Sequence, residues 1–202
     1  MQSLYQSITE AKGASLTVWD IDDTLFKSNS KVKIIRNGKV VKTLTPAEFN
    51  TYVPHKGETY DYGEFKSGKI FYTTAKPIPK VMRIAKKLQR RIPHTADSKV
   101  IIVTARSPMD DMALFRATFH KYGFNIDKMH AHLTGGDGYS AAEGKVRVFD
   151  TYLATGKYTS ISLFDDSLPI LRAALTLKSK YLGILFNLYH VGQDGSITKL
   201  RI

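Results

Sequence analysis

The sequence contains no cysteine and few acidic residues. Its 202 residues include 18 Asp and Glu against 30 Lys and Arg, which gives a formal net charge of +12. Without cysteine the chain has no disulfides, thiolate metal sites or cysteine nucleophile, and we expect a protein of the reducing cytoplasm. A surface this basic attracts polyanions, so a nucleotide or nucleic acid is the expected partner, although basic surfaces also arise without that role.

Long apolar runs are also missing. No stretch approaches the roughly twenty apolar residues that span a bilayer, and residues 1–14 lack the apolar core of a signal peptide. We therefore expect a non-secreted protein with no membrane segment. The G-x-x-x-x-G-K loop that cradles nucleoside triphosphates is absent as well, which leaves a kinase activity without support. No pattern in the sequence predicts an oligomeric state.

A cluster of acids follows the first apolar run. Leu16–Trp19 predicts a strand, and Asp20, Asp22, Asp23 and Thr24 come directly after it. Where a strand ends in a loop, side chains two positions apart can face one pocket. One carboxylate can then attack phosphorus while the other transfers a proton. Short acidic loops also cap helices, so this motif alone is a modest signal.

Two further apolar runs end in polar residues. Val100–Val103 is followed by Thr104, and Ile161–Phe164 is followed by Asp165 and Asp166. In an open parallel sheet, ligands bind at the carboxyl ends of the strands. The three strand ends are therefore predicted to converge on one site.

Together these motifs resemble the haloacid dehalogenase (HAD) superfamily, whose signature has an acid pair, a Ser or Thr, a helical Lys and later acids. The resemblance covers residues 16–166. It implies that Asp20 is the nucleophile that forms an aspartyl-phosphate, that Asp22 is the general acid and base, and that Thr104 hydrogen-bonds the phosphoryl group. The ligands that it implies for Mg²⁺ are Asp20, the backbone carbonyl of Asp22, and at least one of Asp165 and Asp166.

Two cations complete the predicted site. Lys145 is chosen as the helical lysine because it lies near the start of the helical pattern 141–154, whereas Lys157 lies beyond the helix and is predicted to be solvated. Fixed positive charge must offset the carboxylates and phosphate at such a site. Arg106 stands where superfamily phosphatases acting on nucleotides or polynucleotide ends often carry an arginine, and it is predicted to bind a second phosphate. The motifs are loosely similar to the phosphatase domain of phage polynucleotide kinase-phosphatases and to the 5'(3')-deoxyribonucleotidases.

Alternating strands and helices predict an α/β fold with a Rossmann-like, three-layer α/β/α parallel sheet. Residues 1–26 and 76–202 are assigned to the catalytic core, and residues 27–75 to a small inserted flap or cap lobe. In the insert, Asn37-Gly38 predicts a hairpin turn, and Thr45 with Glu48 predicts a capping box that starts a helix.

Beyond the insert, the sequence predicts further helices and strands. Helices are expected over 79–92, from Ser107-Pro108 onward with Asp110 and Asp111 in the first turn, and over 168–178. The later strands are expected at 129–133 and 181–186, followed by a tail hairpin that turns at Gln193-Asp194-Gly195. His130 and His132 are interpreted as structural, and the loop 135–138 as a turn that could also touch substrate.

The insert and the first long helix supply the candidates for nucleic-acid contact. Aromatic rings that could stack on bases are Tyr52, Tyr60, Tyr62, Phe65, Phe71 and Tyr72. A small lobe needs most such rings for its own core, so we expect only a minority to be functional. Cations cluster at Lys31, Lys33, Arg36, Lys39 and Lys42, and again at Lys80, Arg83, Lys86, Lys87, Arg90 and Arg91.

The function predicted from the sequence is Mg²⁺-dependent hydrolysis of a phosphomonoester through an aspartyl-phosphate, with a nucleotide or a nucleic-acid terminal phosphate as substrate. Two alternatives stay open. One is a phosphatase of the same superfamily that acts on a small metabolite. The other is a nucleic-acid-binding protein on a catalytically retired scaffold, against which the presence of all the catalytic acids argues.

Overall fold

The computed structural model describes residues 13–91 and 97–201. Most of the segment 1–14, in which no signal core is predicted, and the end of the helix predicted over 79–92 lie outside the described residues. None of the described helices is long and apolar enough to cross a membrane.

Strands and helices alternate along most of the described chain. The strands are β1 (Ala14–Trp19), β2 (Phe26–Lys27), β3 (Val32–Arg36), β4 (Lys39–Leu44), β5 (Glu58–Asp61), β6 (Lys76–Pro77), β7 (Lys99–Thr104), β8 (His130–Leu133), β9 (Tyr158–Asp165), β10 (Leu185–Val191) and β11 (Ile197–Lys199). The helices are α1 (Pro46–Asn50), α2 (Gly68–Thr74), α3 (Pro79–Arg91), α4 (Met112–Lys121), α5 (Ala141–Leu153), α6 (Leu168–Ala174) and α7 (Thr176–Lys180), with 3₁₀ turns at Gly63–Lys66 and Ile126–Lys128.

A 6-stranded sheet in the order β11-β10-β9-β1-β7-β8 forms the centre of the fold. Its neighbouring strands run parallel except β10 and β11, which form an antiparallel hairpin. The predicted α/β Rossmann-like fold is thus confirmed, with the correction that the sheet is mixed rather than wholly parallel. β1 lies between β9 and β7 and is buried along its whole length, as expected of a strand covered on both faces.

Helices cover both faces of this sheet and make three layers. On one face α3 and α4 contribute Val81, Leu88 and Phe119 to a buried cluster, and on the other α5 and α6 contribute Phe149 and Leu171 to a second cluster. The amphipathic pattern of α3 explains this burial, because its apolar residues recur along one side of the helix. The carboxyl ends of β1, β7 and β9 lie together at one end of the sheet.

The helix predicted from Ser107 begins later. Asp111 is its N-cap and accepts a hydrogen bond from the Leu114 N–H at 2.9 Å, so α4 starts at Met112. The preceding residues bind the insert instead. The N–H of Asp110 donates to the carbonyl of Lys66 at 2.8 Å, and its Oδ1 accepts from the N–H of Gly68 at 2.7 Å. A tertiary contact therefore overrides the local helix signal of Ser-Pro.

Two predictions near the C-terminus were also wrong in detail. The helix predicted over 168–178 is two short helices, α6 and α7. The strand predicted over 181–186 is β10 at Leu185–Val191, which pairs with β9. The error arises because Leu182 is apolar and was assigned to the strand, whereas it lies in the turn before β10 and is 89% exposed. The predicted tail hairpin around Gln193-Asp194-Gly195 is confirmed by the pairing of β10 with β11.

The insert after β1 has two parts. Its first part is a 3-stranded antiparallel sheet, β4-β3-β5, with the predicted turn at Asn37-Gly38 and the predicted capping box of Thr45 and Glu48. The second part, α2, packs on the core, where Phe71 is fully buried against the aromatic rings of the core. The first part, which we call the flap sheet (residues 32–61), lines the same cavity as the strand ends.

Candidate active site

Asp20 is placed at the carboxyl end of β1 by continued strand pairing. Its N–H donates to the carbonyl of Phe164 on β9 at 3.0 Å, and the residue is buried. The chain then turns sharply, and the carbonyl of Ile21 accepts from the N–H of Phe26 at 2.9 Å. Asp23 has a φ of 54° within this turn, a left-handed conformation that Asp tolerates better than most residues. Asp20 therefore lies at the carboxyl end of the sheet, directly before this turn.

Thr24 joins this loop to the loop after β9. Its buried hydroxyl oxygen accepts from the N–H of Asp166 at 3.1 Å. In the second loop, Oδ1 of Asp165 accepts from the N–H of Ser167 at 2.9 Å. Thr24 therefore ties the first loop to the second and helps to fix the position of the second pair of acids.

Lys145 on α5 lies between two of the predicted acids. Its Nζ donates to Oδ1 of Asp20 at 2.6 Å and to Oδ2 of Asp165 at 2.7 Å, and the residue is only 2% exposed. A buried ammonium group requires such partners. The prediction of Lys145 rather than Lys157 thus agrees with the geometry, since Lys157 is exposed at the far end of the helix.

The acids and the lysine strongly perturb one another. Burial raises the pKa of Asp20 to about 7, although Lys145 acts in the opposite direction. Burial, with the charges of Asp20 and Asp165, raises the pKa of Asp166 to about 9. Burial alone would lower the pKa of Lys145, but the carboxylates of Asp165 and Asp20 raise it above its ordinary value. The site therefore has more negative charge than Lys145 offsets.

The same acids form a cluster that suits a divalent cation. Oxygen atoms of Asp20, Asp165 and Asp166 all lie within 4.8 Å of one another. Mg²⁺ is bound by oxygen ligands, commonly by one or two carboxylates. The donor set and its excess negative charge both fit this ion.

Asp22 is held by Arg106, which lies 84 residues away in the sequence. Nε and Nη2 of Arg106 donate to Oδ2 and Oδ1 of Asp22, each at 2.7 Å, and the Ser28 hydroxyl donates to Oδ1 at 3.0 Å. The guanidinium carbon lies 5.1 Å from the ring centre of Phe65 and 4.5 Å from that of Phe71. Sequence reasoning placed Arg106 at the site but missed this partner, because the pair is set by the tertiary fold.

Thr104 ends β7 beside these groups. It is 1% exposed, and its Oγ1 accepts from the N–H of Arg106 at 3.2 Å. Its carbonyl accepts from both the N–H and the hydroxyl of Thr134, at 2.9 and 3.0 Å. The end of β7 is thereby tied to the loop that follows β8.

A cavity of about 430 Å³ connects all of these groups. Every residue predicted for the site lines it: Asp20, Asp22, Thr104, Arg106, Lys145, Asp165 and Asp166. The flap sheet, which includes α1, adds apolar lining at Val32, Pro46 and Phe49. Sequence reasoning missed Phe49 and Tyr139, which carry no motif and reach the cavity only through folding.

The glycine loop after β8 also lines the cavity, through Gly135 and Gly136. A Cβ at Gly135 would lie 2.2 Å from the carbonyl oxygen of Ala105 and 2.8 Å from the nitrogen of Ser107. Only glycine permits this approach of two backbones. The glycine run was the one signal in the sequence for this wall, although a plain turn was the favoured interpretation.

We expect Gly135→Ala to lower the free energy of unfolding by about 1–3 kcal/mol, because the methyl group must displace the backbone at the end of β7. The same displacement would move Thr104, which ends β7. Gly183→Ala is the matched control, because no atom lies within 4 Å of its added Cβ. Urea unfolding of both variants checks the prediction, and equal stabilities would contradict it.

The predicted stacking residues lie in four different places. Tyr62 and Phe65 line the cavity. Tyr52 and Tyr60 pack against the apolar cluster of the flap sheet, and Phe71 is buried in the main core. Tyr72 lies under the ammonium group of Lys121. Two of the six rings thus line the cavity, and their stacking on a base stays a prediction.

His130 and His132 both contact one tyrosine. Nδ1 of His130 lies 2.8 Å, and Nε2 of His132 2.9 Å, from the hydroxyl of Tyr152. Neither imidazole belongs to a metal-binding group among the described residues. Burial, with the neighbouring His130, lowers the pKa of His132.

This lowered pKa predicts a pH effect on stability. The unfolded chain binds a proton to His132 near pH 6.5 while the folded protein resists it, so the contribution of His132 to stability should fall as the pH drops below 6.5. His132→Asn removes the titrating group and should flatten this part of the pH profile. Thermal unfolding between pH 5 and 8 measures the effect, and parallel profiles for the two proteins would contradict it.

Comparison with solved structures adds one finding. The HAD domain of the effector protein Lem4 from Legionella pneumophila superimposes with a TM-score of 0.51 over 88% of this chain and 85% of that chain. The chain therefore shares the α/β fold of that domain. Sequence identity to that HAD domain is 10%, so the likeness concerns the fold. No protein-family model and no curated protein sequence matches the chain.

Proposed function

We propose that the protein is a Mg²⁺-dependent phosphomonoester hydrolase that works through an aspartyl-phosphate on Asp20. The arrangement that carries the proposal is a buried lysine between two acids at the ends of adjacent strands, with a third acid within 4.8 Å. Such a group can hold a phosphoryl group next to a nucleophile while balancing its charge. The HAD fold of the chain supports the same reaction class.

In the first step, an oxygen of Asp20 forms a bond to phosphorus while the ester P–O bond breaks. Asp22 donates a proton to the departing oxygen. In the second step Asp22 removes a proton from water, the water oxygen bonds to phosphorus, and the acyl phosphate P–O bond breaks. Inorganic phosphate leaves and Asp20 is regenerated.

The other residues hold these groups in place. Lys145 orients Asp20 and offsets its charge, and the hydroxyl of Thr104 donates to a phosphoryl oxygen. Arg106 holds Asp22 by two hydrogen bonds at the mouth of the site. When bound, Mg²⁺ supplies positive charge that offsets the charge of the transferring group.

Asp166 is the more suitable metal ligand of the paired acids. Both oxygens of Asp165 already accept hydrogen bonds, Oδ2 from Lys145 and Oδ1 from the N–H of Ser167. The side chain of Asp166 accepts none from the described residues, and burial, with the charges of Asp20 and Asp165, raises its pKa. We therefore assign Asp20 and Asp166 as the carboxylate ligands of Mg²⁺, with the Asp22 carbonyl as a further ligand.

Metal binding should be visible without turnover. We expect saturating Mg²⁺ to stabilise the wild-type protein, by about 2.7 kcal/mol at a concentration one hundred times the Kd. Asp166→Asn should abolish most of this gain, while Asp137→Asn, on an exposed loop residue, should keep it. Thermal unfolding with and without EDTA measures the effect. A full Mg²⁺ response in Asp166→Asn would contradict the assignment.

The cavity favours a substrate with one phosphate and a flat group. Lys145 and Arg106 are the cations among its described lining residues, and each is already bound to carboxylates. Aromatic rings of Phe49, Tyr62 and Tyr139 surround the outer part. Stacking on such rings contributes about 1–3 kcal/mol per base. Together with the net charge of +12, this supports a nucleotide or a nucleic-acid terminal phosphate as substrate.

Phosphate release from a substrate panel tests the proposal. The panel contains an aryl phosphate, 5′- and 3′-nucleotides, and oligonucleotides phosphorylated at either end, each with Mg²⁺ or with EDTA. We expect Mg²⁺-dependent release, highest for a nucleotide or an oligonucleotide end. Release from the aryl phosphate alone would support a small-metabolite phosphatase instead. Oligonucleotide binding with no release from any substrate would support the retired scaffold.

A further inference from the structure

A second cavity lies at the opposite end of the main sheet. It has a volume of about 500 Å³ and is lined by residues at the start of β7, including Lys99 and Val100. The active site lies at the other end of β7, where Thr104 lines it. Five residue steps along a strand correspond to roughly 17 Å, so the two cavities are separate. We call the second one the basal cavity.

Cations from three elements line the basal cavity. Arg90 comes from the end of α3, Lys99 from the start of β7, and Lys128 from the turn before β8. β7 and β8 run parallel with Ile101 opposite His130, so Lys99 and Lys128 each stand two residues before this pair. His130 also lines the cavity, and none of its described lining residues is acidic.

The nearest acids along the chain do not neutralise these cations. Asp127 pairs with Arg116 at 3.0 Å and with His120 at 2.8 Å. Asp97 is exposed and raises the pKa of Tyr158, after the larger contribution of burial. Within the described chain, no ion pair involves Arg90, Lys99 or Lys128.

Hydrogen bonds hold the wall of the basal cavity in place. The amide group of Gln89 on α3 donates to the carbonyl of Asn125 and accepts from its N–H, which ties the helix to the turn before β8. Nδ1 of His130 is held by the hydroxyl of Tyr152 at 2.8 Å. These bonds fix the backbone around the cations, whose side chains are exposed to solvent.

We propose that the basal cavity binds phosphate groups, at a site distinct from the catalytic centre. Like charges around one cavity repel each other, and an anion with several charged oxygens relieves that repulsion. The Nε of Arg90 donates to the carbonyl of Lys86 at 3.3 Å, which leaves its Nη groups to donate to phosphate oxygens, and Lys99 and Lys128 act as point charges. The proposal does not depend on the hydrolase function, because it uses none of the residues of the active site.

Binding of a fluorescent single-stranded oligonucleotide without terminal phosphates tests the site in EDTA, where no turnover occurs. The test variant is Arg90→Gln with Lys128→Gln. The charge-matched control is Lys157→Gln with Lys178→Gln, two exposed lysines outside the basal cavity. We expect the test variant to lose at least about tenfold in affinity and the control less than about twofold. The salt slope of log K should fall by about 1.4, at about 0.7 for each phosphate of a single strand that the variant no longer neutralises.

A second arm uses inorganic pyrophosphate in place of the oligonucleotide, measured by calorimetry on the same proteins. Pyrophosphate binding that is absent from the test variant assigns the basal cavity to small phosphate anions, and oligonucleotide binding alone assigns it to a nucleic-acid strand. Equal losses of affinity in test and control variants, or no binding by the wild-type protein in either arm, would overturn the proposal. Hydrolysis of a small aryl phosphate should stay unchanged in both variants, so failure here is distinguishable from failure of the hydrolase assignment.

Discussion

Asp20→Asn is expected to lower kcat by about 10⁴- to 10⁶-fold, as loss of a catalytic nucleophile does in other covalent enzymes. An amide cannot form the acyl phosphate. The remaining residues still bind substrate, so KM should change little. Phosphate release from the best substrate of the panel measures the effect. Activity near the wild-type level in this variant would refute the covalent mechanism.

The same substitution should leave the fold intact. Burial raises the pKa of Asp20 to about 7, which means that its ionisation opposes folding above the unfolded value of 3.8. A neutral Asn removes that cost, and Lys145 keeps its contact with Asp165. We therefore expect Asp20→Asn to be at least as stable as the wild-type protein at pH 8 without metal. If the variant were less stable than the wild-type protein, its loss of activity could not be attributed to the missing nucleophile.

Asp23→Asn is the matched control for this variant. Asp23 lies in the same loop but does not line the active-site cavity. Its φ of 54° is one that Asn also tolerates, so the substitution should preserve the turn. Most of the activity should remain. This outcome would also show which acids of the motif take part in catalysis.

Arg106→Met is expected to reduce both activity and stability. The substitution removes two hydrogen bonds from Asp22, whose side chain is only 16% exposed. Removing one partner of a buried ion pair lowers the free energy of unfolding by about 3–5 kcal/mol. Because Asp22 also faces the cavity, we expect a value at the lower end of this range. kcat should fall by about 10²- to 10⁴-fold, because a displaced acid and base no longer transfers protons efficiently. Arg106→Lys should have an activity and a stability between those of the wild-type protein and Arg106→Met. It keeps the positive charge but loses the paired donors of the guanidinium group.

The kinetic constants separate this role from the one predicted from the sequence. If Arg106 positions Asp22, kcat and its pH profile change while KM stays similar. If Arg106 binds a second phosphate of the substrate, KM rises and kcat is retained. Arg116→Met is the control, since the pair of Arg116 with Asp127 is exposed and should contribute less than about 1 kcal/mol.

A double-mutant cycle completes the test. In Asp22→Asn with Arg106→Met no unpaired carboxylate is left, so the double variant should be more stable than the sum of the single effects predicts. Contacting residues of this kind show interaction energies of about 0.5–3 kcal/mol. Activity should not recover, because the general acid is gone. Additive stabilities would show that the Asp22–Arg106 pair does not stabilise the fold.

Several features were predictable because their signals are local. An apolar run followed by Asp20 and Asp22, or by Thr104, indicates a strand end with polar side chains, whatever the rest of the chain does. The hairpin at Asn37-Gly38 and the capping box of Thr45 follow from the backbone preferences of a few adjacent residues. The fold class follows from the order of such elements along the chain.

Other features depend on segments that are distant in the sequence. The helix signal at Ser107 was overridden by the bonds of Asp110 with the insert, and the apolar residue Leu182 remained exposed before the true strand. Which lysine among 30 Lys and Arg reaches the acids was decided only when α5 packed beside β1 and β9. No local pattern encodes such packing.

By itself, the sequence determined the strand-end acids, Thr104 and the α/β class, because these rest on periodicity and on short-range backbone preferences. The tertiary structure alone decided that Arg106 holds Asp22, that Lys145 bridges Asp20 and Asp165, and that Gly135 closes the wall of the cavity. Contacts of this kind are fixed by how layers of the fold pack, and a buried charge takes whichever partner the packing brings within hydrogen-bonding distance.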